Sequence, residues 1–480
     1  MKKLKLASLL LAAGVASAAA QAAPGNEVAG IIVKYRQVSS AQLAAQAASL
    51  PRGKVLSAQP ADARQRAQKL QQLTGVPLRF ERQMGTGAYV FHTGKALSPD
   101  EAQQLSRRIQ QDPNVEYAEP NYIKHANFEP SSPLYQQQQW DMKASAAEPG
   151  AMNLPDAWNL SKGLGVTVAV LDTGYRPHKD LKPNLLEPGY NFVSKPEDAR
   201  LKPGPDGQTA RQANAMDQGS WKSANDCGPG SAADDSSWHG THVAGTIAAA
   251  GGDKNGISGV APRAKILPVR VLGRCGGTDA DITDAMLWAV GAAVPGAPIN
   301  PSPARVINMS LGGSQPCTQS YRSVIQQIHA RNGIVVVSAG NSNRNARTAS
   351  PSSCYGVISV ASNGQAGAIA SYSNYGATVA VTAPGGDLNV GDPGIYSTIN
   401  SGKTAPEDDN AYEAMMGTSM AAPHVSGLVA LMLSINPQLD WKAVRNLLIQ
   451  TSHKAPGNCT GCSAGLVDAA AAVRAAQNYR

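Results

Sequence analysis

From residue 153 onward, short apolar runs rich in β-branched residues alternate with stretches of helical character, and this alternation restricts the chain more than any other feature. The runs cover 166–171, 264–271, 306–310, 334–338, 357–360 and 379–382. Between and after them, helices are predicted near 239–250, 279–292, 319–330, 419–434 and 440–451. Strands apolar on both faces must be covered on both, and parallel neighbours need a crossover, which a helix supplies. The expected class is α/β, a three-layer domain with a mostly parallel sheet. In such sheets functional groups gather beyond the carboxyl ends of the strands.

The front of the 480-residue chain is organised differently. Lys2, Lys3 and Lys5 precede an apolar run over 6–15, and Ala16-Ser17-Ala18 and Ala20-Gln21-Ala22 both offer A-x-A cleavage sites. Residues 1–22 read as a signal peptide, the run being too short to span a bilayer, and no other stretch approaches the roughly 20 apolar residues that spanning needs. Residues 23–127 hold strand candidates at 31–33, 88–91 and 115–118, an Ala/Gln-rich helical stretch at 41–74, and a helix start at Ser98-Pro99-Asp100-Glu101. There Ser98 is the cap, Pro99 the first helical residue and Glu101 the third. The order β-α-β-α-β predicts a small α+β domain. Residues 128–152 are polar and Gln-rich, as expected of a linker or exposed arm, and 153–480 form the large domain. Within it, 194–237 is dominated by Gly, Pro, Asp and Ser and reads as a surface excursion.

Charge and cysteine narrow the classes further. The net charge of +8 lies wholly in residues 1–127, with 16 Lys and Arg against 8 Asp and Glu; the remainder carries 26 of each sign. The large domain therefore offers no electrostatic case for nucleic acid, and neither nucleic acid nor a membrane is an expected partner. All six cysteines (Cys227, Cys275, Cys317, Cys354, Cys459 and Cys462) follow residue 200. An even number in an exported chain predicts three disulfides, with 15 connectivities open. Cys459-Thr-Gly-Cys462 alone is at most half a zinc site or a redox pair, and no second C-x-x-C accompanies it.

Four motifs carry chemistry. Asp172 directly follows the apolar run 168–171, at a strand's carboxyl end. Trp238-His239-Gly240-Thr241-His242 opens a helix; His-x-x-His invites a metal reading, but it lacks the i, i+4 spacing and the Glu of a zinc helix. Gly417-Thr418-Ser419-Met420-Ala421-Ala422-Pro423-His424 places Ser419 at a helix N-terminus, where developing negative charge is favoured. A serine there is ordinarily a cap; it becomes a nucleophile when a His removes its proton and an Asp orients that His. Ser338-Ala339-Gly340-Asn341 follows a strand, either as a turn or as an oxyanion donor.

Together these motifs closely resemble the subtilisin family of serine proteases. The matching stretches are 170–174, 239–242, 306–313, 338–341 and 417–423, in the chain order Asp, His, Ser, and the resemblance covers roughly 150–476. It implies a subtilisin-like fold in which Ser419 is the nucleophile, His239 the general base and then acid, Asp172 the group that fixes the imidazole, and Asn341 the oxyanion donor beside the Ser419 backbone N–H. It also implies that Ser310-Leu311-Gly312 and Cys275-Gly276-Gly277 are the two edges between which substrate backbone pairs as an added strand.

Residues 23–127 resemble the subtilisin-type propeptide, which implies a ferredoxin-like domain acting as intramolecular inhibitor and folding aid, with a maturation cut between Lys124 and Ser132. Asp180 and the loop residues Gly251, Asp253, Asn255 and Ile257 resemble the family's calcium site, for which carboxylates and loop carbonyls supply the oxygens Ca²⁺ needs. The expected disulfides are Cys227–Cys275, Cys317–Cys354 and Cys459–Cys462. The expected product is a secreted monomeric endopeptidase acting on proteins and peptides, with no further domain after the last helix. Two readings compete. A catalytically inactive subtilisin-like binding or adhesion protein conflicts with four filled catalytic positions. An α/β-hydrolase esterase needs G-x-S-x-G, whereas Ser419 sits in G-T-S-M-A.

Overall fold

A computed structural model describes residues 28–36, 62–94, 97–122, 129–251, 256–454 and 465–479. The signal peptide, residues 41–61 of the first helical stretch, Asp253, Asn255, Cys459 and Cys462 lie outside them. The chain divides into two compact units, Met1–His125 and Ala126–Arg480.

The first unit runs β1 (Val28–Tyr35), α1 (Ala63–Thr74), β2 (Arg79–Gln83), β3 (Tyr89–His92), α2 (Pro99–Ile109) and β4 (Val115–Tyr122). Its antiparallel sheet has the order β2-β3-β1-β4. Ile31, Val33, Leu70, Tyr89, Phe91, Leu105 and Ile109 form its core. Helix α2 begins with the predicted capping box, Ser98 Oγ accepting from the Glu101 N–H and the Glu101 carboxylate from the Ser98 N–H. Strand β2 was not anticipated. It is a mostly exposed edge carrying Arg79, Glu81 and Arg82, and charge on an edge deters pairing with other chains.

The second unit is built on seven strands: β5 (Thr167–Asp172), β6 (Tyr190–Asn191), β7 (Lys265–Arg270), β8 (Val306–Met309), β9 (Ile334–Ser338), β10 (Val357–Asn363) and β11 (Val381–Pro384). All pair in parallel in the order β11-β10-β9-β8-β5-β7-β6. An antiparallel pair, β12 (Ile395–Ile399) and β13 (Ala411–Met415), stands apart. The helices that matter here are α3 (His239–Ala248), α4 (Asp279–Ala289), α5 (Gln319–His329), α6 (Thr418–Ile435), α7 (Trp441–Thr451) and α8 (Ala469–Asn478). Alternation along β5 shows why the strands are apolar throughout. Val168 and Val170 enter one core with α3, α6, α7 and α8, while Ala169 and Leu171 enter the opposite core with α4 and α5. Among the described residues α6 alone is long and apolar enough to cross a membrane, and 83% of it is buried inside the protein. A core helix surrounded by packing is apolar all round for that reason.

Two expectations need correction. Residues 129–152 are not an extended arm: they form a short helix, Pro133–Gln138, and a 3₁₀ turn, Trp140–Met142, and Tyr135, Trp140, Met142 and Met152 enter the core. The Trp140 indole N–H donates to the Gly394 carbonyl at 2.7 Å. The Gln-rich stretch hid four large apolar residues, whose burial outweighs the polar average. The segment 194–237 is likewise only partly a surface excursion. Ala199 and Ala210 close a small core with Val193, and Arg211 pairs with Asp281 at 2.6 Å and Asp284 at 2.8 Å on α4.

Candidate active site

The sheet reverses its winding at β5, which lies between β7 and β8, and the site gathers at that switch point. Asp172, fully buried, ends β5. Its Oδ1 accepts from the Thr173 N–H at 2.7 Å and lies 2.8 Å from His239 Nδ1, with Oδ2 2.9 Å from the same nitrogen. A carboxylate only accepts, so Nδ1 carries a proton and Nε2 is left as the basic nitrogen. Gly240 allows this approach: a Cβ there would stand 2.1 Å from the Gly174 carbonyl oxygen and 3.1 Å from the Asp172 Cβ. Its N–H donates instead to Thr173 Oγ1 at 3.0 Å. Burial disfavours the charged form of His239, but the charge and hydrogen bond of Asp172, joined by Asp217, outweigh it and hold the imidazole above its ordinary value.

His242 is a different histidine. It is wholly buried, and its Nε2 lies 3.0 Å from the Ile395 carbonyl oxygen and 3.2 Å from that of Glu413. Two acceptors place the proton on Nε2. Burial, with the neighbouring His239 next, pushes its pKa down to about 3, so the ring is neutral. Nε2 is committed to the two carbonyls and is not free to bind a metal, while Nδ1 is buried without a hydrogen-bond partner.

Ser419 is the second residue of α6. Pro423, four residues on, has no N–H to give the Ser419 carbonyl. Ser310 Oγ donates there instead at 2.7 Å, and Ser419 Oγ donates to the Ser310 carbonyl at 3.3 Å. The motif thus ties the carboxyl end of β8 to the start of α6. Gly417 precedes it at φ 150°, a conformation that L side chains rarely adopt, and a Cβ there would touch Asn341 Nδ2 at 3.4 Å. Asn341 Oδ1 accepts from the Thr418 N–H at 2.9 Å and the Thr418 hydroxyl at 2.7 Å, which leaves Nδ2 as the amide's remaining donor beside Ser419. No hydrogen bond joins Ser419 to His239 among the described residues; such bonds are often long without substrate and tighten when it binds.

A groove of 480 Å³ runs along His239, with Cys275, Gly276 and Gly277 on one side and Ser310, Leu311 and Gly312 on the other. A second cavity of 280 Å³ shares Leu311 and Gly312 and adds Asn341 and Ser419. Cys227–Cys275 ties 194–237 to the first wall, and Cys317–Cys354 closes a second bridge. Of the residues matched to a calcium site, Asp180 is buried, and its Oδ2 accepts from the Ile257 N–H at 2.9 Å and the Tyr412 hydroxyl at 2.8 Å. Among the described residues no group of three or more His, Cys, Asp and Glu could hold a metal.

Sequence reasoning did not single out three features. Arg344 lines the second cavity. Arg270, wholly buried, donates to the Thr173 carbonyl at 3.0 Å and the Ala199 carbonyl at 2.6 Å, fixing the backbone just after Asp172. Asp141 meets His424 of the serine motif at 2.9 Å. Only His424 stood in a motif that could have flagged it.

Residues 163–469 match the subtilase family, and the chain belongs to that family. It is 44% identical to an extracellular protease of Xanthomonas campestris pv. campestris over 84% of this chain and 66% of that protein. It is 39% identical to an extracellular basic protease of Dichelobacter nodosus over 84% and 65%. The chain therefore spans just under two thirds of the length of these relatives. A solved protease structure from Pseudoalteromonas arctica superposes with a TM-score of 0.67 at 45% identity, covering 72% of this chain and 99% of that one.

Proposed function

We propose that the chain is a secreted serine endopeptidase made as a self-processing precursor. The observation that carries this reading is His239, held by Asp172 through Nδ1 and lining a groove that shares Leu311 and Gly312 with the cavity of Ser419 and Asn341. In the reaction His239 Nε2 takes the Ser419 hydroxyl proton as Oγ bonds to the scissile carbonyl carbon. The oxyanion is met by Asn341 Nδ2 and the Ser419 N–H. Collapse breaks the C–N bond, and His239 returns the proton to the leaving amine. Water, activated by the same nitrogen, then hydrolyses the acyl-enzyme and frees Ser419. Substrate backbone lies as a strand between 275–277 and 310–312, and main-chain bonding of that kind tolerates many side chains. The names of the two extracellular relatives and the leader at 1–22 support export.

Residues 23–127 act as inhibitor and folding aid until the enzyme cuts between Lys124 and Ser132. Calcium fits at Asp180: the carboxylate is buried and its hydrogen-bond partners are neutral donors, which leaves its charge for a cation. Gly251 and Ile257, with Asp253 and Asn255, would complete the oxygen set, and the ion would cross-link these loops by charge.

The test is Ser419→Ala, which removes the attacking oxygen and leaves a good helix former in α6. Intact-mass measurement is expected to find this variant still joined to its first unit, while the parent is cleaved within 124–132 and is labelled at Ser419 by a fluorophosphonate. Release of the same fragment by the variant, prepared free of other proteases, would sink the self-processing reading.

A further inference from the structure

The 280 Å³ cavity beside Ser419 carries one cation that the chemistry above leaves unused. Its walls are small: Gly312, Gly313, Ala339 and Gly340 contribute backbone and little else, and no carboxylate lines it. Arg344 lies on the loop that follows Asn341. Asn374 clamps that loop: its Oδ1 accepts from the Ser342 and Arg344 N–H groups, both at 3.1 Å, and its Nδ2 donates to the Ala339 carbonyl at 2.8 Å. The Tyr375 N–H donates to the Arg344 carbonyl at 3.0 Å. The base of the side chain is therefore fixed. At its far end Nη2 donates to Ser314 Oγ, another cavity residue. Arg344 Nε is buried with no hydrogen-bond partner, and no ion pair to Arg344 exists among the described residues.

A guanidinium is always ionised and presents its donors as a planar fork suited to carboxylates. Nε is enclosed, Nη2 is held by Ser314 and no carboxylate lines the cavity, so among the described residues no acid answers the charge of Arg344, which is left for a ligand oxygen. Asn341 and Ser419 border the same cavity, so the side chain entering it belongs to the residue whose carbonyl is attacked. We infer that Arg344 makes this cavity select an acidic side chain, here probed with glutamate, on the acyl side of the scissile bond. This deepens the endopeptidase reading and rests on it.

The test uses enzyme released from the full-length chain and peptides that differ only at that residue: Glu, its neutral near-isostere Gln, Phe and Lys. A charge-assisted bond in a half-exposed site predicts kcat/KM about tenfold higher for Glu than for Gln. Lys falls below Gln, and the Glu preference shrinks with added salt. Arg344→Gln brings the Glu/Gln ratio to about one, and Arg344→Lys, which keeps the charge, retains a ratio above one. Fluorophosphonate labelling of Ser419 in each variant reports an assembled site. Efficient cleavage after Phe with no Glu preference overturns the role of Arg344 and leaves the protease standing, as does a Glu preference that survives in Arg344→Gln. Failure to cleave any peptide together with unlabelled Ser419 overturns both.

Discussion

Asp141→Ala removes one half of a pair that holds residues 129–152 against the helix bearing Ser419. His424 and Asp141 are both wholly buried, with Nε2 and Oδ2 2.9 Å apart. His424 Nδ1 lies 2.8 Å from the Met420 carbonyl oxygen, which only accepts, so Nδ1 is protonated. One further proton is then shared between Nε2 and Oδ2, and the pair is neutral as a whole. Deleting the carboxylate leaves Nε2 buried with nothing to bond. A ring that stayed charged would cost roughly 3–5 kcal/mol. Imidazole can instead shed its proton, and the cost then falls to about 1–3 kcal/mol for the orphaned nitrogen, plus a small cavity, or roughly 3 kcal/mol in all. With an unfolding entropy of about 2.1 cal/mol/K per residue over the ~355 residues of the second unit, the midpoint is expected to fall by roughly 4 °C. Asp141→Asn can donate its amide N–H to a neutral Nε2, and the fall should be about 1 °C. Differential scanning calorimetry in a Ser419→Ala background avoids self-digestion. An Asp141→Ala midpoint within a degree of its parent would refute the strap. An Asn variant as unstable as the Ala variant would show that charge, not hydrogen bonding, does the holding.

Two further outcomes can be checked. Catalysis needs His239 neutral, and because Asp172 and Asp217 outweigh burial and raise its pKa above 6.5, kcat/KM should fall as pH drops through an apparent value above 6.5; an acid limb below that value would contradict the electrostatic account. If Asp180 and the 251–257 loop hold calcium, the thermal midpoint rises with added Ca²⁺ and falls with chelator, by mass action on the folded state, and a midpoint indifferent to both removes calcium from the protein.

How much of this was legible in the sequence depended on how far apart the partners lie along the chain. Strands β5, β7, β8, β9, β10 and β11 announce themselves because burial on both faces requires a continuous apolar run. The capping box at Ser98 is visible because cap and partner are three residues apart. Strand β2 failed that test, because its single apolar residue, Phe80, stands among charged and polar neighbours and shows no alternation. The catalytic groups were legible for a related reason. Each sits where a strand ends or a helix begins, and the local demands there, Gly240 for approach and Pro423 for a free carbonyl, leave a short signature around it. Arg344 and Asp141 have no such signature. Asp141 is 283 residues from His424, and a side chain drawn from a polar stretch looks solvated until the fold supplies its partner.

The segment 194–237 carries the same lesson into the site itself. Its Gly, Pro, Asp and Ser content describes the average residue, and much of 223–236 is indeed exposed. Asp217 departs from that average. It is wholly buried, its Oδ1 accepts from the Gly219 N–H at 2.9 Å, and its own N–H donates to the Tyr175 carbonyl three residues beyond Asp172, also at 2.9 Å. Burial pushes its carboxyl up and the positive charge of Arg270 pulls it back, so each offsets part of the other's desolvation. Arg270 in turn holds the Thr173 carbonyl, and Thr173 Oγ1 takes the Gly240 N–H at the start of α3. The turn after Asp172 and the helix carrying His239 are thus braced in part by a segment whose composition speaks only of solvent. Composition fixes where most of a loop must go, and one buried carboxylate within it can still set the geometry of a catalytic pair.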